Sequence, residues 1–269
     1  MNWFEKLCIF LDSRMQTPTS YGVFHLVSVA VAILATVLLC VFAKDVKSKT
    51  FRWIVFIGWL IMVLFEVYKE VIFMSFHYDG TTIRWSYDWY AFPFQLCSTP
   101  LYLLPFVFLL KDGKVRNAIM MFISTFAMFG GLVTFIYPGD VFTTVIGQNL
   151  QTMFHHGLQI VLGVYIAVYN RKNFNIKNFL GGCVVFAAMI CVAMTLNLVV
   201  PQFIPGNTFN MFFISPYFPC TLPLLSVIYA NAPYAAFLTV YVLGFVLAAL
   251  IVFLIIYLIM RASRKKVRA

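Results

Sequence analysis

The stretch Tyr234–Met260, YAAFLTVYVLGFVLAALIVFLIIYLIM, contains no charge and runs directly into Arg261, Arg264, Lys265, Lys266 and Arg268. At about 1.5 Å per residue, roughly 20 apolar residues cross a ~30 Å hydrocarbon core, so this stretch is long enough to span a bilayer. Working outward from it, six further stretches qualify: Tyr21–Phe42, Trp53–Phe76, Tyr90–Leu110, Ala118–Tyr137, Leu150–Tyr169 and Phe179–Val200. Their apolar runs are continuous rather than alternating with a period of two, which points to helices and away from a strand barrel. The expected fold is an all-α polytopic membrane protein of about seven transmembrane helices, forming one integral membrane domain over residues 1–269.

Composition leads to the same class. Of the 269 residues, 62% are hydrophobic and 10% charged. Such a chain cannot coat a water-soluble surface, and it is too apolar for intrinsic disorder. The net charge of +10 would suggest nucleic acid in a soluble protein, but here its distribution explains it. Segments 43–52, 111–117, 170–178 and the tail after Met260 hold 15 of the 19 basic residues and together carry +13. Those four segments share one side of a seven-span arrangement. By the positive-inside rule, the C-terminus is expected in the cytoplasm and the N-terminus outside, in a multi-pass protein of the cell membrane. No nucleic-acid partner is needed. The first 20 residues include Glu5, Asp12 and Pro18, so the apolar run that follows reads as an anchor rather than a cleaved leader. The six cysteines form no CxxC pair, and no spacing supports a zinc site, so neither metal nor cofactor is expected.

The polar residues inside the spans are the informative ones, because each is costly there. Glu66, Lys69 and Glu70 lie at i, i+3 and i, i+4 spacing on one face of span two. They form either a neutralised structural knot or the polar wall of a cavity. Span three begins Phe92-Pro93-Phe94-Gln95-Leu96-Cys97-Ser98-Thr99-Pro100, where Pro100 and Pro105 free the carbonyls of Leu96 and Leu101. Span five opens with Gln151, Thr152, His155, His156 and Gln159. A histidine near a cysteine suits proton transfer to or from a thiol. Counting inward from the outer ends, Cys97, His156, Glu70, His25 and Asn197 all lie roughly 5–10 Å deep, which suggests one outward-facing intramembrane site. The uncharged loop 201–233, with six prolines, is expected to lie in the interface, dip back into the membrane or cap helix ends.

Several of these segments resemble a known family. Phe92–Cys97 resembles the Leu-Pro-Leu-His-Leu-Cys motif of the bacterial YwaF-type integral membrane proteins, with Gln95 where His is common. Phe154-His155-His156 resembles their His motif. Asn197 and Gly206–Asn210, followed by Pro216, resemble their Asn- and Pro-containing stretch, with Met211 where Tyr often follows Asn. Those proteins are similar to an animal transmembrane acyltransferase acting on ether lysophospholipids. The resemblance implies a lipid acyltransferase or lipid hydrolase with Cys97 as nucleophile and His156 as base. Membrane phospholipids would be the partners, with His155, Gln95, Glu66, Lys69, Glu70, Asn197 and Asn210 forming the surrounding polar or substrate-binding site. The alternative is a transporter or ligand-binding membrane subunit in which the same residues do no covalent chemistry.

Overall fold

A computed structural model describes residues 1–266; Arg268 of the basic tail lies outside the described residues. The chain is mostly helical. A short amphipathic helix, α1 (Trp3–Leu11), opens it, closed at its N-terminus by reciprocal bonds between Asn2 and Glu5. The long helices are α2 (Val23–Phe42), α3 (Ser48–Tyr68), α5 (Lys114–Phe122), α6 (Met128–Ile136), α7 (Ile146–Tyr169), α8 (Ile176–Val199) and α10 (Tyr234–Lys266). A π-helical turn, Lys69–Phe73, prolongs α3, and another, Ile123–Ala127, joins α5 to α6 as one rod. Among the described residues, six helices are long and apolar enough to cross a membrane, counting α5–α6 as one.

The third apolar stretch differs from expectation. Instead of a full span over 90–110, it has a 3₁₀ turn at Trp89–Ala91, extended backbone, a second 3₁₀ turn at Leu96–Ser98, and only then α4 (Thr99–Leu109). An 11-residue helix covers ~16 Å, about half the hydrocarbon core. Even so, this segment carries the chain back along α3. Arg52, near the start of α3, donates to the Phe108 carbonyl at 2.7 Å, and Lys69, at its other end, donates to the Ala91 carbonyl at 3.2 Å. Span two also ends earlier than expected. After Phe73 the chain forms a small antiparallel hairpin, β1 (Phe76–Tyr78) with β2 (Ile83–Trp85).

The α5–α6 rod is the most enclosed of the spanning helices, and α2 is among the least. α7 packs on α2, α3 and α6, while α8 packs on α5. The core between them is aromatic: Phe122, Phe126 and Phe186 stack in sequence, with Tyr241 and Phe245 of α10 alongside. Small residues let the helices approach. A Cβ at Gly58 would meet the Leu162 side chain, and one at Gly163 would meet Met128.

Part of the loop 201–233 folds into the protein body. Phe209, Met211, Phe212, Ile214 and Cys220 are buried in the core, whereas Phe203, Tyr217 and Leu224 are exposed. A short helix, α9 (Leu225–Asn231), precedes α10. Phe212 and Phe213 both take left-handed backbone angles, with φ of 57° and 56°. Non-glycine residues adopt that conformation only where their surroundings enforce it.

Candidate functional site

The interruption before α4 sets the site. In hydrocarbon, irregular backbone is tolerated only if protein satisfies its polar groups. Each carbonyl freed here has a side-chain partner. The Leu96 carbonyl, which Pro100 cannot reach, accepts from the Thr99 hydroxyl at 2.6 Å. The Leu101 carbonyl, freed by Pro105, accepts from the Trp59 indole at 2.8 Å. The Pro93 carbonyl accepts from the Tyr102 hydroxyl at 2.8 Å.

The Cys97 carbonyl has two partners, both from α7. His155 Nε2 lies 2.9 Å away, and Gln159 Nε2 also donates to it. For Nε2 to donate to a carbonyl it must carry a proton; Nδ1 then lies 3.6 Å from Glu66 Oε2, close but with no hydrogen bond between them. Glu66 in turn accepts from Gln151 Nε2 at 3.1 Å and from Lys69 Nζ at 2.6 Å. Lys69 also pairs with Glu70 at 2.8 Å. The Tyr87 hydroxyl donates to Glu70 at 2.5 Å. Burial and the neighbouring Glu70 carboxylate push that hydroxyl's pKa upward, so Tyr87 stays protonated and donates. A run of neighbouring polar side chains thus leads from Cys97 past His155 to the hydrogen-bonded set Glu66, Lys69, Glu70 and Tyr87, beyond the end of the span.

Two glycines of α6 make this packing possible. A Cβ on Gly130 would stand 3.0 Å from the Cys97 sulfur, and one on Gly131 would stand 2.7 Å from the His156 carbonyl oxygen. Cys97 itself is half-buried and lies two residues before α4. Among the described residues, no hydrogen bond joins its sulfur to either imidazole. His156, which the family resemblance pairs with Cys97, bonds through Nδ1 to the Thr152 carbonyl at 2.8 Å, one turn back on its own helix.

The remaining expected site residues form a second group. Asn197 clamps Met211 from both sides, accepting from its N–H at 2.7 Å and donating to its carbonyl at 2.9 Å. Asn210 accepts from the Ser215 N–H at 2.9 Å and donates to the Pro219 carbonyl at 3.0 Å. Gln95 links this group to the interrupted segment by donating to the Asn210 carbonyl at 2.9 Å. His25 belongs to neither group. Its Nδ1 accepts from the Tyr21 N–H, and its Nε2 lies 3.1 Å from the Phe135 carbonyl, tying α2 to α6. Hydrogen bonds thus gather the expected site residues into two clusters joined through the 95–97 segment, with His25 outside both.

Gln151 and Gln159 prove to be direct members of the first cluster, as does Tyr87. The two glutamines are legible in retrospect. Gln148, Gln151, Thr152, His155 and Gln159 recur every three or four residues along one face of α7. Tyr87 carries no such signal, because it comes from a loop. The buried oxygens of Gln95 and Gln159 and the Nδ1 of His155 have no hydrogen-bond partner in this structure. Among the described residues, no group of three or more His, Cys, Asp or Glu side chains is arranged to hold a metal ion.

The family model that matches the chain is that of the TMEM164 family, over residues 19–257. No curated protein and no solved structure matches it.

Proposed function

The chain belongs to the TMEM164 family of membrane proteins, and we propose for it the chemistry of an intramembrane lipid acyltransferase or lipid hydrolase, with Cys97 as nucleophile and His155 as its base. The observation that carries this reading is the polar chain Cys97–His155–Glu66. A histidine contacts the cysteine residue through one ring nitrogen, while a carboxylate faces the other. The contact is to the Cys97 carbonyl and not yet to its sulfur, so it brings the three residues of a nucleophile–base–orienter set together without its working proton arrangement.

In the first step the Cys97 sulfur attacks the carbonyl carbon of a phospholipid ester. A sulfur–carbon bond forms, and the ester carbon–oxygen bond breaks. The thiol proton passes by way of His155 to the departing lysolipid hydroxyl. In the second step the hydroxyl of an acceptor lysolipid, or water, attacks the thioester and gives its proton to His155 and back to sulfur. For this His155 must turn from the carbonyl oxygen to the sulfur of the same residue and present a bare Nε2 to it, the tautomer in which Nδ1–H faces Glu66. Glu66 faces the imidazole, Lys69 and Gln151 steady Glu66, and Asn197 and Asn210 fix the segment joined to Gln95 beside the cysteine. The unpaired amide oxygens of Gln95 and Gln159 are available to accept from a lipid headgroup or glycerol hydroxyl.

Residence in the cell membrane, with the C-terminus cytoplasmic, is part of this reading. It rests on the basic segments at one end of the spans.

The test is mass spectrometry of the purified chain supplied with phospholipid. An acyl adduct on Cys97, absent in Cys97→Ala and slowed far more by His155→Ala than by His156→Ala, is the expected result. Unchanged lipid turnover in Cys97→Ala with no adduct would overturn the nucleophile and leave the cluster to a transporter or ligand-binding role. Loss of turnover in His156→Ala alone would move the base to the neighbouring histidine.

A further inference from the structure

At the end of the bundle remote from Cys97, the C-terminal ends of α2 and α7 meet the N-terminus of α5 around a cavity of about 350 Å³. His155 and Tyr169 are 14 residues apart on α7, so the two sites are roughly 20 Å apart along the helix. Four cations line the cavity, Lys44, Arg116, Arg171 and Lys172, against two carboxylates, Asp45 and Asp112. Arg171 pairs with Asp45 at 2.5 Å.

Arg116 is the unusual member. Its side chain is 2% exposed, its guanidinium lies over the Phe51 ring, and its Nε donates to the Val107 carbonyl at 2.9 Å. Nη1 pairs with Asp112, whereas the buried Nη2 has no hydrogen-bond partner. A buried guanidinium nitrogen left unpartnered is costly, and a guanidinium is built to hold acceptors in pairs. Asp112, its charge partner, is a weak match. That carboxylate is 76% exposed, and it also faces Arg52 at 3.9 Å. The amides of Asn117 and Asn170 stand in the same lining and can donate to further oxygens. Gly113 opens α5 with no side-chain cap, so that end of the helix also favours an anion.

We infer that this cavity binds a phosphate group, carried by a lipid headgroup or by a soluble phosphate ester, with Arg116 as the buried anchor and Asp112 as the carboxylate it displaces. A phosphate supplies more acceptor oxygens than Asp112 does, enough to take its place on Arg116 Nη1 while engaging Lys44 and the amides. This site is separate from the Cys97 cluster and does not depend on the chemistry proposed there.

The test uses the full chain purified in uncharged detergent and native mass spectrometry, titrating short-chain phosphatidic acid, the matching diacylglycerol and inorganic phosphate. Saturable binding of a phosphate-bearing probe that excess diacylglycerol does not displace is expected, since a lipid held only by its esters at Cys97 would be displaced. Phosphatidic acid that resists a large excess of inorganic phosphate identifies the lipid source; saturable binding of inorganic phosphate itself identifies the soluble one. Removing the competing charge in Asp112→Asn should tighten binding about threefold to tenfold, and Arg116→Gln should weaken it by at least about tenfold. Should Arg116→Gln fail to fold, Lys44→Gln keeps the test decisive, because it must weaken binding while Asp112→Asn strengthens it. The absence of saturable binding, or affinities unmoved by Asp112→Asn and Lys44→Gln, would overturn the site.

Discussion

Lys69 sits between two carboxylates with side-chain exposure of only 12%, against 8% for Glu66 and 19% for Glu70. The three residues are therefore not equivalent. Removing Glu66 leaves Lys69 a partner in Glu70, whereas removing Lys69 leaves two neighbouring carboxylates in a poorly solvated place. Lys69→Gln should cost ~3–5 kcal/mol, the range for breaking a buried ion pair, and more than either Glu66→Gln or Glu70→Gln. Unfolding of the three variants in one detergent checks this; equal losses would mean the lysine is not the keystone. A different carboxylate governs the hairpin outside the span. Asp79 accepts from the N–H groups of Thr81 and Thr82 and from the Thr81 hydroxyl, at 2.9, 2.7 and 2.8 Å. Those bonds favour the ionised form and lower its pKa from 3.8 to about 2. With the folded value depressed, the turn's stabilisation is complete above the unfolded value and disappears as pH falls through about 2. Carboxyl NMR of Asp-labelled protein should find Asp79 titrating near 2; a midpoint near 3.8 would mean the turn is open in solution.

At the scale of elements, α4 and the loop before α10 depend on side chains borrowed from other helices. α4 begins only at Thr99, and its approach is held by donors from α3 and α7. The buried part of the 201–233 segment is held by Asn197 of α8, whose amide bonds Met211 through both backbone groups. That clamp fixes the two left-handed residues that follow, Phe212 and Phe213. Asn197→Leu keeps the side-chain volume roughly constant and removes both bonds. Two lost hydrogen bonds of ~1 kcal/mol each predict amide exchange at Met211 at least about tenfold faster, with α8 itself unchanged. Unaltered exchange at Met211 would show that apolar packing of Phe209 and Ile214 holds the segment without the asparagine.

For the whole molecule, Arg171–Asp45 and Arg52–Asp112 join the connections after α2, α4 and α7 at one end. On the orientation proposed above, impermeant thiol reagents should reach Lys111→Cys and Asn173→Cys from the cytoplasmic side, and Thr81→Cys and Asn207→Cys from outside. Labelling of all four from one side would refute the arrangement. Much of this architecture was legible in the chain. Long apolar runs have one stable solution in a bilayer, a helix with its backbone bonds closed internally, so class and approximate spans follow from composition and length alone. Pro93 lies in the interrupted stretch, but Pro100 and Pro105, which leave carbonyls open, fall in the first turn and the interior of α4. Which side chains would close those carbonyls could not be read. The partners of Cys97 come from 58 and 62 positions away, and Tyr87 reaches Glu70 from a loop without pattern. Nor did equal depth reveal grouping. Residues at one depth can face different neighbours around a bundle, and packing alone separated His25 and Asn197 from the Glu66 cluster. It also determined that His155 is the histidine bonded to the Cys97 carbonyl, while His156 bonds its own helix, since adjacent helical residues point about 100° apart and only tertiary contact selects between them.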